Sequence, residues 1–68
     1  MNEKLKNALF EARPYVEYWD RLREFVGRLW DKTGNEKEFV RVVKAEIEEA
    51  KEPFKTDLRI FLQKFEGL

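Results

Sequence analysis

Apolar residues recur along this chain at helical spacing, in stretches interrupted at Pro14, Gly34 and Pro53. The pattern is densest from Tyr15 to Trp30. At ~100° per residue, Tyr15, Val16, Tyr18, Trp19, Leu22, Phe25, Val26, Leu29 and Trp30 fall on one half of a helical wheel, with only Arg23 intruding. Glu17, Asp20, Arg21, Glu24, Gly27, Arg28, Asp31 and Lys32 take the opposite half. An apolar arc of ~180° exceeds the ~100° stripe that docking on a single neighbour requires. The spacing therefore predicts a central helix over about 14–32, covered from at least two sides by the remaining segments.

Those segments carry their own start and stop signals. Asn2 suits the N-cap of a first helix with Met1, Leu5, Ala8, Leu9 and Ala12 on one face, while Phe10 points nearly the other way. Pro14 removes a backbone donor and obstructs the carbonyl of Phe10, and the stripe turns by roughly 70° across it, which predicts a sharp bend. At the far end of the central helix, Lys32 suits the negative end of the dipole, Gly34 suits a left-handed C′ position, and Asn35 with Glu38 reads as a capping box. A turn this short predicts two neighbouring, roughly antiparallel helices.

The third helix is expected over 35–52, with Phe39, Val40, Val43, Ile47 and Ala50 in a stripe of ~100°. Pro53 interrupts it, and the stripe resumes as Phe54, Leu58, Phe61, Leu62 and Phe65 in a last helix over 53–66, kinked or bent at Pro53. Gly67 and Leu68 suggest a Schellman ending with Gly67 left-handed.

The fold class that follows is all-α, a small helical bundle of three to four segments forming a single domain over 1–68. It could close within one chain, or as a kinked hairpin pairing with a second copy. Hairpin arms of ~45 Å, at 1.5 Å per residue, would leave one thin seam to bury two Trp, two Tyr and six Phe. The compact bundle is favoured.

Size sharpens the demand on the core, because a 68-residue chain buries only ~60% of its unfolded surface. No cysteine is present to staple it or to bind metal as thiolate. Lys, Arg and Glu are abundant while thermolabile residues are few, a balance that high-temperature proteins tend to show. No apolar run approaches the ~18 residues of a membrane span, so the expected location is cytoplasmic. Fourteen basic and fourteen acidic residues cancel, whereas general nucleic-acid or anionic-lipid binders carry a basic excess.

The available chemistry is narrow. Serine, histidine and cysteine are absent, which removes the usual nucleophiles and the neutral-pH base, so no catalysis is expected. Glu46 with Glu49, and Glu17 with Asp20 and Glu24, share helical faces, but these lie away from the apolar stripes and read as solvated surface rather than a bundle metal site. The glycines are isolated and form no phosphate loop, and no cofactor is inferred. A helix-turn-helix DNA reader is the alternative, since Trp30–Asn35 joins two helices through a glycine turn, yet Glu46, Glu48, Glu49 and Glu52 would repel phosphates.

What the stripes leave over is apolar surface. Phe10, Val42 and Ile60 point away from their helices' buried faces, and Tyr18 and Phe25 edge the over-wide central arc. These five are the candidate partner-binding residues. The expected function is a non-enzymatic protein-interaction or self-assembly module, with a protein partner or a second copy, as in a homodimer; a small nucleic-acid-binding protein is the runner-up.

Overall fold

Two asparagines set where helices begin. Asn2 accepts the Leu5 N–H at 3.2 Å and opens α1, Glu3–Ala12; Asn35 accepts the Glu38 N–H at 2.8 Å and opens α3, Glu36–Glu49. The computed structural model describes residues 2–67, and among them lie α1, a 3-10 turn at Arg13–Tyr15, α2 at Trp19–Thr33, α3, and α4 at Phe54–Glu66, with no strand. This is a small all-α bundle. Gly34 takes φ +78°, which lets α2 stop and α3 start within two residues. Glu38 does not reach back to Asn35 in a capping box; its carboxylate pairs with Arg41 at 2.5 Å instead.

The helix at the centre is α4, not α2. Phe54, Leu58, Phe61, Leu62 and Phe65 are all buried on it, and it packs against each of the other three helices. From the α1 stripe Leu5, Ala8, Leu9 and Ala12 are buried, as are the α3 residues Phe39 and Val43, while Met1, the remaining member of that stripe, lies outside the described residues. From α2 only Leu22 and Val26 are fully enclosed, while Trp19, Phe25, Leu29 and Trp30 are half-buried at the core's margin. Phe39 joins the layers. Its ring stands edge-on to Trp30 at 5.2 Å, Phe61 at 6.1 Å and Phe65 at 5.2 Å, contacts worth ~0.5–1.5 kcal/mol each beyond area burial. The longest extent, 27 Å, and the radius of gyration of 10.6 Å match a core closed within one chain rather than a long hairpin.

The predicted central helix was too long at its start. Residues 14–18 are not α-helical: Pro14 sits in the 3-10 turn, Val16 is extended at φ −107° and ψ 154°, and α2 begins only at Trp19. Tyr15 and Tyr18 therefore leave the buried arc and are 64% and 48% exposed. The cause lies in α4. Asp57, only 2% exposed, accepts the backbone N–H of Glu17 at 3.0 Å on one carboxylate oxygen and that of Tyr18 at 2.9 Å on the other. Those donors immediately precede α2, whose N-cap Tyr18 makes no side-chain cap, so a carboxylate from another helix fixes the segment from which α2 starts.

The second proline also separates helices rather than kinking one. The third helix ends at Glu49, short of the expected 52, and Ala50 turns to ψ 154°. Pro53 then stands just before α4, where its missing N–H costs no helical bond. Glu52 accepts both the N–H of Thr56 at 2.8 Å and its hydroxyl at 2.6 Å, which ties the connection onto the first turn of α4. Gly67 stays right-handed at φ −82° instead of turning left-handed, and Leu68, the other half of the expected Schellman motif, lies outside the described residues.

Candidate interaction surface

The five predicted partner-binding residues differ in exposure. Phe10 on α1 is 74% exposed and Tyr18 48% exposed, whereas Phe25, Val42 and Ile60 are half-buried. Phe25 meets the Phe54 ring edge-on at 5.6 Å. It lines a groove in which Glu46, Glu49 and Glu52 face Arg21 and Lys51. Ile60 borders a shallow depression with Ile47 and Leu62, on the α3–α4 side of the bundle.

Phe10 is different because it is central to a larger feature. On one side it lines a depression with Glu11, Arg13, Pro14, Tyr15 and Lys64. On the other it lines a groove of about 300 Å³ with Lys6, Leu9, Arg13, Trp19 and Arg23. The helical phase of α1 explains the exposure, since burying Leu5, Ala8, Leu9 and Ala12 turns Phe10 outward. Tyr15 arrives beside it through the 3-10 turn, and the Lys64 ammonium lies 4.9 Å from the Tyr15 ring centroid.

Trp19 forms the far wall of the groove. Its indole N–H donates to the Leu9 carbonyl at 2.8 Å, so the ring is fixed by a hydrogen bond as well as by partial burial. Two guanidinium groups gather over that ring, Arg13 at 4.6 Å from the centroid and Arg23 at 5.9 Å. Such cation–π contacts contribute ~0.5–1 kcal/mol at exposed sites and restrain the side chains. Neither arginine forms an ion pair among the described residues, and Lys6 has only a marginal one, 4.0 Å from Glu3. The groove thus offers apolar surface with cationic groups along its rim.

Perturbed carboxylates lie elsewhere. Hydrogen bonding to Arg41 holds Glu38 below the usual carboxylate range and raises Arg41 in turn. The Thr56 hydroxyl and N–H likewise lower Glu52. Glu38 lies in the first turn of α3, and Glu52 stands just before α4, where it also lines the groove at Phe25. No group of three or more metal-ligating side chains gathers among the described residues.

Sequence reasoning singled out Phe10 and Tyr18 but missed Arg13, Trp19 and Arg23 as a group. The one available signal was Arg23, the lone charge inside an otherwise apolar half-wheel. No helix among the described residues is long and apolar enough to cross a membrane. No curated protein and no solved structure matches the chain. One family model does match, over residues 2–68, and on that near-complete match the chain belongs to the MJ1579 family.

Proposed function

We propose that this member of the MJ1579 family is a non-enzymatic interaction module that docks another protein on the α1 surface around Phe10. The observation that carries this reading is the 74% exposure of Phe10 beside Tyr15 at 64%, in a chain whose core is complete without either ring. Full burial of such a side chain is worth ~1.5–3 kcal/mol, so a partner that covers both gains substantially from little area. Rings flanked by arginine match the composition of interface hot spots. A helix-turn-helix role ranks below it, because α3 would bring Glu36, Glu38, Glu46, Glu48 and Glu49 toward phosphates.

The test is site-specific crosslinking. A photo-reactive residue at position 10 should yield one predominant protein adduct in cells, or a homodimer, while the same group at exposed Lys37 should not. Identical diffuse labelling at both positions would overturn the proposal. Phe10→Ala should keep the melting temperature of the wild type, because the ring contributes little to folding, and should lose the adduct partner in competition experiments.

A further inference from the structure

Resting on that reading, we propose that the groove between Phe10 and Trp19 takes an acidic peptide segment of the partner, with a bulky apolar side chain seated between flanking carboxylates. Charge complementarity carries the inference. Arg13 and Arg23 sit over the Trp19 ring at 4.6 and 5.9 Å, with no carboxylate partner among the described residues. Lys6 lines the same groove, and Lys64 lines the adjoining depression. Guanidinium groups held against an aromatic face keep their planar donor edges open, and that fork matches a carboxylate.

The floor selects for the second half of the ligand. Phe10 and Trp19, over the buried Leu9, supply apolar surface in a space of about 300 Å³, the lower end of small-ligand pockets and enough for one large side chain with its neighbours. The indole N–H is already engaged by the Leu9 carbonyl, so Trp19 presents no donor and works as an apolar wall.

A peptide suits this surface better than a nucleic acid. Glu11 lines the depression on the far side of Phe10, and Glu3 stands 4.0 Å from Lys6, so cations alternate with acids and give no continuous track for a phosphate backbone. The chain's zero net charge supplies no long-range attraction for a polyanion. A short acidic segment needs only the local cluster.

Proton–nitrogen correlation NMR on the full chain tests this directly, with the Trp19 indole and the Arg13 and Arg23 Nε–H signals as reporters. The probes are an octapeptide of Asp and Glu with one central Leu, the same peptide with a central Ser, a Lys-for-acid version with the Leu retained, and an oligothymidylate of twelve nucleotides. The acidic Leu peptide should shift the three reporters saturably while leaving the Trp30 indole in place, and should bind more tightly than the Ser and Lys versions. Arg13→Gln with Arg23→Gln should weaken it at least about tenfold with the spectrum otherwise intact, the loss expected for charge-assisted hydrogen bonds.

Equal binding of the Lys peptide, stronger shifts from the oligonucleotide, or no saturable shift with the acidic Leu peptide would overturn the inference. So would reporter shifts caused by raising the protein's own concentration, with a matching rise in mass by sedimentation, which would identify a second copy as the occupant. Because crosslinking at position 10 does not depend on the partner's charge, a single adduct there with failure of the acidic peptide would sink this inference and leave the docking role standing.

Discussion

Removing Asp57 should do more damage than its single carboxylate suggests. Asp57→Ala deletes two charge-assisted hydrogen bonds, to the N–H groups of Glu17 at 3.0 Å and Tyr18 at 2.9 Å. Such bonds contribute ~1.5–3 kcal/mol each. Both donors belong to exposed residues, so water recovers part of the loss, and ~2–4 kcal/mol is the expected cost. Against the ~3–10 kcal/mol available to a domain of this size, that is a large share. At ~4–8 °C per kcal/mol the melting temperature should fall by roughly 8–32 °C.

Asp57→Asn separates hydrogen bonding from packing, because it conserves volume but turns an NH2 toward one of the two donors. It should cost about 2 kcal/mol. Urea titration followed by circular dichroism gives both values, and hydrogen exchange should accelerate at the Glu17 and Tyr18 amides before the core opens. If both variants melt within ~0.5 kcal/mol of the wild type, the joint between α1 and α2 does not depend on Asp57 and the reasoning fails.

Other perturbations test the remaining parts of the fold. Phe39→Ala removes a fully buried ring that touches Trp30, Phe61 and Phe65, and should cost ~3–5 kcal/mol in thermal or urea unfolding; a loss under ~1 kcal/mol would mean the core closes around the gap. Gly34→Ala meets no atom within 4 Å but forces a side chain to φ +78°, so it should destabilise by ~1 kcal/mol, and Gly34→Asn by less; equal stability of all three would contradict the left-handed turn. The Glu52 carboxylate has a lowered folded-state pKa, so its contribution is complete above the unfolded value near 4.5 and fades as pH falls through the folded one. The stability gap between wild type and Glu52→Gln should accordingly narrow below pH 4.5, and a gap independent of pH from 6 to 3 would refute the Glu52–Thr56 contact.

The candidate surface was only half legible. Phe10 could be placed outside α1 because its position follows from phase within one helix, and the helix is continuous there. The groove beside it could not, because Arg13 and Trp19 come from segments joined by a non-helical turn whose path is set from α4. Tyr15 shows the same failure in reverse. Counted as part of a continuous helix it points inward; in a 3-10 turn it points to solvent.

The sequence by itself determined the helical class, the stripes of α1, α3 and α4, and the starts at Asn2 and Asn35. These depend on interactions within a few residues, on 3.6-residue periodicity and on side chains that bond backbone groups of the following turn. Tertiary structure decided which helix is central and where α2 begins. A wide apolar arc can be satisfied by partial burial at the margin, as at Trp19 and Trp30, whereas α4 is enclosed because three helices converge on it. The start of α2 depends on a carboxylate forty residues away in sequence from the first N–H it accepts, and an interaction of that range leaves no trace in local pattern.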